Sequence, residues 1–427
     1  MPDVIIVGGG PAGAATAWAL ARAGTEVIVL DRARFPRDKP CSEYLSPEAS
    51  RVLHDMDALD EIERSGAASL AGMRVRTPGG HVIRGDFAAS HGFRGFRDRG
   101  LALRRTVLDA IILDRARVAG ARVEEGVRVT DVLRDRRGAA RGVVTLDDVG
   151  RTAERSARIV VGADGLRSVV ARRLGLARAA RFPRRLALVT HYRGVADVGE
   201  HGEIHVERDG YCGIAAVGGG VANVAVVVPA SHARDVAAGR ERFLERWIAR
   251  RPHLVARFRH ADRVTPVHVT GPFAARARRA WAPRAALVGD AADFFDPFTG
   301  EGIYAALRGA ELLAPAVVSS LAAPTERAAD ETLAAYDATR RAEFGGKWIV
   351  ERVIGWAVAC APLMNHAGRV LSRERDLADL LVGVVGDFVP AREVLRPAYV
   401  ARLLGIPLFP RPSRCAARNP QPLTRNP

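Results

Sequence analysis

The 427-residue chain is long enough to bury a large core, and its 48% hydrophobic and 26% charged residues are ordinary for a globular protein. Its 64 Lys and Arg against 48 Asp and Glu give a formal net charge of +16, almost all of it from arginine because Lys39 and Lys347 are the only lysines. The arginines are spread along the chain without a helix-turn-helix, RNP or zinc-finger pattern, so we interpret them mostly as codon bias and expect no nucleic-acid partner.

The sequence also argues against metal and membrane-spanning segments. The four cysteines form no CxxC, and the alternation of His201, Glu203 and His205 is more typical of an exposed strand face than of a metal site, so we expect no metal. An apolar strand begins directly after Pro2, which leaves no room for a signal peptide. The most apolar helical stretch, residues 348–364, is interrupted by charge, whereas a span needs about 20 apolar residues. A cytoplasmic protein is expected.

The opening run Val4–Val7 is continuously apolar, as expected of a strand buried on both faces. After it the pattern predicts, in chain order, a helix, a strand at 26–30, a loop at 36–47, helical segments to 67, strands near 73–83, a helix at 105–119 and strands at 122–132, 142–146 and 158–161. Residues 186–229 then alternate in a way that is typical of antiparallel sheet, and residues 285–288 return to the continuous apolar pattern. From Gly302 onward the chain is mostly helical in pattern.

We therefore predict an α/β fold with a Rossmann-like nucleotide-binding domain assembled from discontinuous segments, an inserted antiparallel β-sheet substrate domain and a helical C-terminal region. The predicted bounds are 1–75, 100–180 and 275–325 for the nucleotide domain, 76–99 and 181–274 for the substrate domain, 326–405 for the helical region, and 406–427 for a flexible tail.

The choice of a dinucleotide ligand rests on a GxGxxG placed directly between the first strand and its helix, Gly8-Gly9-Gly10-Pro11-Ala12-Gly13. Gly8 permits the tight turn, Gly10 lets the backbone approach a pyrophosphate, and Gly13 lets helix and strand pack closely. The N-terminus of the helix then faces the phosphates. Asp31, followed by Arg32, closes the second strand, where an acid accepts hydrogen bonds from the adenosine ribose.

Two further segments favour FAD over NAD. Residues 160–165 run from a strand into a glycine-hinged turn that contains Asp164, and residues 286–290 form a strand that ends in Gly289-Asp290. An acid at the second strand end can bond the polyhydroxyl ribityl chain that FAD has and NAD lacks. A second helix N-terminus, freed by Gly300 and Gly302, can face the flavin, where its dipole would stabilise the negative charge of the reduced ring.

In order and spacing these motifs resemble the three FAD fingerprints of the superfamily that contains para-hydroxybenzoate-hydroxylase-like monooxygenases, geranylgeranyl reductases and flavin-dependent halogenases. The resemblance covers about residues 3–314. It implies that Arg105 contacts the FAD and that Pro297 and Ile303 lie at the flavin with the second helix N-terminus.

Several details of the motifs resemble the geranylgeranyl-reductase branch. Residues 36–43 resemble a loop that carries a cysteine near the flavin, here Cys41, although the usual following glycine is Ser42. The Gly-Glu-Gly around Glu301 is also like that branch, and the hydroxylase-type His after Gly-Asp-Ala-Ala is Asp293. Cys41 is thus a candidate catalytic residue, with burial as a small hydrophobe as the alternative.

Other details point away from prenyl reduction and halogenation. Where prenyl reductases carry YxWxFP, this chain keeps Tyr211 and loses the Trp and Phe. The tryptophans cannot form the halogenase WxWxIP motif, and we expect both lysines to be badly placed for a halogenase lysine. Together with Cys41, Tyr211 and Pro297 are the candidate catalytic residues at the flavin face.

The resemblance therefore implies an FAD enzyme that uses NAD(P)H as co-substrate. The favoured reaction is hydroxylation of a hydrophobic aromatic or polyketide-type molecule. Reduction of isoprenoid double bonds is the first alternative, and a non-catalytic flavin redox sensor is the second. A hydrophobic small-molecule substrate is the expected partner, peripheral membrane association is compatible with it, and the sequence indicates no oligomeric state.

Overall fold

The computed structural model describes residues 1–179 and 184–406. The strands are β1 (Val4–Val7), β2 (Val27–Asp31), β3 (Tyr44–Leu45), β4 (Ala68–Leu70), β5 (Gly72–Arg76), β6 (Val82–Asp86), β7 (Gly100–Ala102), β8 (Arg122–Glu125), β9 (Arg128–Arg134), β10 (Ala140–Leu146), β11 (Thr152–Ser156), β12 (Ile159–Gly162), β13 (Ala177–Ala179), β14 (Arg185–Arg193), β15 (His201–Glu207), β16 (Gly210–Ala216), β17 (Val221–Pro229), β18 (Asp262–Arg263), β19 (His268–Thr270), β20 (Ala275–Ala277), β21 (Trp281–Ala282), β22 (Ala285–Leu287) and β23 (Asp293–Phe294).

The helices are α1 (Pro11–Arg22), α2 (Pro47–Asp55), α3 (Leu59–Arg64), α4 (Arg105–Val118), α5 (Val169–Arg173), α6 (Ala233–Ala238), α7 (Arg240–Ala249), α8 (Pro252–Phe258), α9 (Gly302–Ala322), α10 (Glu326–Ala359), α11 (Ala361–Leu371), α12 (Arg375–Val385), α13 (Arg392–Leu395) and α14 (Pro397–Leu403). This mixture of parallel and antiparallel sheet with helices confirms the predicted α/β fold.

The nucleotide-domain sheet has the order β21-β22-β12-β1-β2-β8, and its strands are parallel except for the β21–β22 pair. All four residues of β1 are buried, as its unbroken apolar run requires, because helices cover the sheet. Helix α1 packs between α4 and α9. Because β1, β12 and β22 are adjacent and parallel, their carboxyl ends meet at one edge of the sheet.

The second large sheet has the order β18-β14-β17-β16-β15-β5-β6 and is antiparallel except where β15 pairs with β5. Alternate residues of β14 enter different cores. Leu186 and Leu188 pack with α7, whereas Ala187 and Val189 lie in a cluster shared with the C-terminal helices. The sheet is therefore covered on both faces, and one face points toward helices α10 to α12.

Some boundaries differ from the sequence expectations. Strand β5 pairs with β15 in the second sheet, although the predicted boundary at residue 75 assigned it to the nucleotide domain. The predicted loop at 36–47 contains strand β3, which pairs with β7. Strands β9 to β11 form a separate antiparallel sheet. The predicted tail, apart from Ile406, lies outside the described residues.

Helix α9 is 21 residues long and apolar enough by composition to cross a membrane. Its apolar side chains, including Leu307, Leu313 and Val317, are buried in the core of the nucleotide domain, as expected of a central helix in such a domain. The following helix, α10, runs for 34 residues and packs along α9. It therefore links the nucleotide domain with the region beneath the second sheet.

Candidate active site

The glycine-rich turn after β1 has no room for side chains at its two structural glycines. Gly8 has φ +104°, in the left-handed region that favours glycine. A Cβ on Gly13 would lie 1.8 Å from the Gly8 carbonyl oxygen, so helix α1 can approach β1 this closely only with glycine there. Asp31 accepts from the Gly9 N–H at 2.7 Å and from the Ala33 N–H at 2.8 Å. Its carboxylate therefore stabilises this turn, and the bond to the ribose stays a prediction.

The three predicted motifs meet at this edge of the sheet. A Cβ on Gly8 would lie 2.5 Å from the Ala163 carbonyl oxygen, so the second motif touches the first. Gly289 has φ +61°, and a Cβ there would lie 2.8 Å from the Ala12 Cβ, so the third motif touches the start of α1. The sequence predicts that these segments bind one flavin cofactor, and the structure brings them into contact.

Asp164 has one free oxygen at this convergence. Its Oδ2 accepts from the Val169 N–H at 2.6 Å, while its buried Oδ1 has no hydrogen-bond partner among the described residues. Burial raises the pKa of Asp164. A buried carboxyl oxygen without a partner is costly, and a hydroxyl group of a bound ligand would satisfy it.

Cationic side chains surround the same edge. Arg105 is buried and makes a bidentate pair with Asp109 at 2.6 and 2.7 Å, and Arg37 contacts Asp109 at 2.9 Å. Lys39 lines the cavity without an ion pair to the described residues, and burial, followed by repulsion from Arg105, lowers its pKa. Burial raises the pKa of the neighbouring Asp290. An anionic group bound here would compensate for the desolvation of these cations.

A cavity of about 500 Å³ connects this edge of the nucleotide sheet with the second sheet. Most of the predicted site residues line it, namely Gly10, Pro11, Ala12, Arg32, Cys41, Arg105, Asp164, Tyr211, Gly289, Asp290, Pro297, Gly300, Gly302 and Ile303. Gly8 and Gly13, which shape the turn, and Asp31, which stabilises it, are not in the cavity wall. Apolar residues of the second sheet and its flanking loop, among them Val189, Ile204 and Phe273, form the far wall.

A buried polar network, which the sequence did not predict, links the loop that carries Cys41 to the second sheet. Glu43 has φ 62° and is 1% exposed. Its Oε2 lies 2.7 Å from His191 Nε2 and accepts a hydrogen bond from Asn223 Nδ2 at 3.0 Å. Asn223 also donates to the Cys41 carbonyl at 2.9 Å. The loop that carries the half-buried Cys41 side chain is thus held at the cavity by contacts between the two domains. Glu43 and His191 are 148 residues apart, so no local pattern could reveal the pair.

Tyr211 lines the cavity, but its hydroxyl is already engaged. It donates to Asp296 Oδ1 at 2.8 Å, and Asp296 Oδ2 accepts from Arg185 at 2.7 Å. Burial, reinforced by Asp296, raises the pKa of Tyr211 well above its ordinary value. The phenol therefore positions the turn at residues 297–299, and Phe298 packs edge-on against its ring at a 5.1 Å centroid separation.

The structure corrects the expectation that both lysines are badly placed for halogenation, because Lys39 and Lys347 both lie in the cavity wall. Their position therefore does not argue against halogenation, and only the missing WxWxIP motif does.

The possible metal ligands on strand β15 have polar contacts with other side chains. His201 Nε2 lies 2.6 Å from Asp86, and Glu203 pairs with Arg257.

These observations fit a bound FAD. The turn at Gly8 and Gly13 leaves bare backbone beside the N-terminus of α1, the cations at Lys39 and Arg105 suit a diphosphate, and the free Asp164 oxygen suits a hydroxyl. The profile of the FAD-binding domain family matches residues 1–347. The chain belongs to this family.

Named relatives add detail. A digeranylgeranylglycerophospholipid reductase of Methanopyrus kandleri is 31% identical over 71% of this chain and 74% of its own length. The menaquinone reductase of Mycolicibacterium smegmatis is 41% identical, but the match spans only 40% of either chain. The myxobacterial chondrochloren halogenase CndH superposes with a TM-score of 0.75 at 24% identity, covering 95% of this chain and 90% of the halogenase. A structural likeness at that identity shows the shared fold alone.

Proposed function

We propose that this protein uses NAD(P)H to reduce a carbon–carbon double bond of a hydrophobic, isoprenoid-like substrate. The observation that carries the proposal is the cavity that joins the cofactor edge of the nucleotide sheet to the apolar wall of the second sheet. An FAD held there by the turn at Gly8 and Gly13 and by the cations Lys39 and Arg105 would supply two-electron, hydride-transfer chemistry.

The relatives support reduction rather than hydroxylation. Alignments over 71% and 82% of the chain relate it to digeranylgeranylglycerophospholipid reductases of Methanopyrus kandleri and Methanoculleus marisnigri. The Cys41 loop, which resembles the reductase branch, places its thiol at the cavity. We therefore rank double-bond reduction first, although the motifs after Tyr211 favoured the hydroxylase.

Within the cavity the protein's own groups would bind and orient the substrate. Val189, Ile204 and Phe273 offer an apolar surface that suits a prenyl chain. The Tyr211–Asp296–Arg185 chain holds the turn at residues 297–299 against this wall. The network at Glu43 fixes the Cys41 loop on the opposite side.

Hydroxylation of an aromatic or polyketide-type molecule is the second candidate. It is favoured by the loss of the Trp and Phe that prenyl reductases carry after the position of Tyr211, a change that leaves Gly213 and Ala215 in the cavity wall. Small residues there would make room for a ring system broader than a prenyl chain.

One experiment separates the two reactions. The FAD-loaded protein, NAD(P)H and geranylgeranyl diphosphate, or a menaquinone as second probe, are incubated with and without O₂. We expect a product that is heavier by two hydrogen atoms and forms equally well under nitrogen. A product that carries one atom of ¹⁸O from ¹⁸O₂ and disappears under nitrogen would refute reduction and support the hydroxylase.

A further inference from the structure

Four ionisable side chains meet at the end of the cavity formed by helix α10. Lys347 Nζ lies 2.9 Å from Glu301 Oε2 and also contacts Asp387 Oδ1. Glu351, one turn after Lys347 on α10, hydrogen-bonds to Glu301. Glu301 immediately precedes α9 between Gly300 and Gly302, so the group connects the predicted flavin face with the C-terminal helices.

This cluster contains more acidic than basic side chains. Three carboxyl groups share one ammonium group, and the side chains of Glu301, Lys347 and Asp387 are 7%, 16% and 0% exposed. If all were ionised, two uncompensated negative charges would be enclosed together, at a large cost in free energy. A hydrogen bond between two carboxyl groups, as between Glu301 and Glu351, also requires that one of them keeps its proton.

Glu351 is the member that keeps the proton. Lys347 forms ion pairs with Glu301 and Asp387, whereas Glu351 has no ion pair among the described residues. Burial, followed by repulsion from Glu301, raises the pKa of Glu351 well above its ordinary value, and Lys347 only partly opposes this. Asp293 and Asp296, which form ion pairs with Arg340 and Arg185, act in the same direction as Glu301.

Glu351 also lies in the right place, because it lines the cavity beside Trp348, Phe344 and the apolar residues of the second sheet. Two tyrosine hydroxyl groups in the wall are less suited to donate a proton. The Tyr211 O–H is engaged by Asp296, and the buried Tyr44 hydroxyl has no hydrogen-bond partner among the described residues through which it could regain a proton. The carboxyl of Glu351 can regain one through Glu301.

We propose that Glu351 is the general acid that protonates the substrate, with Glu301 and Lys347 as positioning residues. This inference rests on the proposed double-bond reduction. One alkene carbon receives the hydride that originates from NAD(P)H, and the other takes the proton of the Glu351 O–H. Two C–H bonds form, the π bond and the O–H bond break, and Glu351 is left as a carboxylate that is reprotonated through Glu301.

The test compares Glu351→Gln with Glu331→Gln, a control on the exposed face of the same helix, where Glu331 pairs with Arg327. Gln keeps the shape but cannot donate an acidic proton. Under anaerobic stopped flow with geranylgeranyl diphosphate, we expect reduction of the flavin by NAD(P)H to be unchanged in both variants. Reoxidation by the substrate should slow about 100-fold or more in Glu351→Gln alone, and Glu351→Asp should restore part of the rate.

An infrared measurement tests the protonation of Glu351 without turnover. The C=O stretch of a neutral carboxyl should appear in the oxidised wild-type protein at neutral pH, shift in D₂O, and vanish in Glu351→Gln but not in Glu331→Gln. A missing band would overturn the proposal even if the protein reduces no probe. An unchanged reoxidation rate in Glu351→Gln, or a loss seen only in Tyr44→Phe, would also overturn it. A wild-type protein that turns over neither probe refutes the proposed reduction instead, and the band then still decides whether Glu351 is the retained acid.

Discussion

Replacing Gly13 by alanine tests the cofactor cradle with the smallest possible change. The added Cβ would lie 1.8 Å from the Gly8 carbonyl oxygen and 3.2 Å from the Ala163 Cβ. Since real Cβ atoms essentially never approach a heavy atom within 3.0 Å, α1 and the turn must separate by more than 1 Å. Both obstructing groups belong to the cradle itself, and the nearer one is backbone, so neither can rotate away.

The expected loss of FAD affinity follows from the displacement of α1. Overpacking of this kind typically costs about 1–3 kcal/mol. The N-terminus of α1 would move away from the phosphates by the same distance, so most of this cost should appear in FAD binding. At about 1.4 kcal/mol for each factor of ten, we expect FAD to bind roughly 5- to 150-fold more weakly.

The assay is a titration of the apoprotein with FAD, followed by flavin fluorescence, together with a thermal melt of each apoprotein. Gly9→Ala is the matched control inside the same turn, since its Cβ would meet only side-chain atoms of Leu113 and Asp31 at 3.4–3.5 Å. We expect the control to bind FAD nearly as tightly as the wild type. Equal FAD affinity in Gly13→Ala and the wild type would show that the cofactor does not sit on this turn.

Two further predictions concern the cofactor and the surface. Asp290→Ala should weaken FAD binding by roughly 1.5–3 kcal/mol in the same titration, because a hydroxyl loses a charge-assisted bond; Asp148→Ala, which removes a carboxylate that is 53% exposed, should not. Ile349, Val353 and Trp356 form an exposed apolar stripe on α10 beside Arg352, so the protein should sediment with anionic lipid vesicles more than with neutral ones. Val353→Ser should reduce this sedimentation, and equal binding of wild type and variant would contradict the membrane expectation.

The nucleotide domain could be predicted because its signals are local. Val4–Val7 is buried on both faces in the structure, as its unbroken apolar run indicates. Gly8 is required by its own φ of +104°, and Gly13 by its close contact with the Gly8 carbonyl oxygen in the same turn. The ends of β12 and β22 could be placed beside that of β1 because parallel strands bring their carboxyl ends to one edge.

The walls of the cavity could not be predicted in the same way. Glu43 meets His191 and Asn223 across the two domains, and nothing in the sequence around any of them indicates the contact. Lys347 appeared badly placed because its helix was assigned to a separate C-terminal region. In the structure α10 packs along α9, and this brings Lys347 to Glu301 at the predicted flavin face.

This difference explains why the motifs identify the cofactor more readily than the reaction. The cradle would be much the same for reduction and hydroxylation, since both need FAD in the same position. The match to the family ends at residue 347, and Glu351 and Asp387 lie beyond it. If Glu351 provides the substrate's proton, the choice of reaction depends on residues outside the segment that matches the family. Relatives with the same fold could then carry out different chemistry by changing the residues that α10 presents to the cavity.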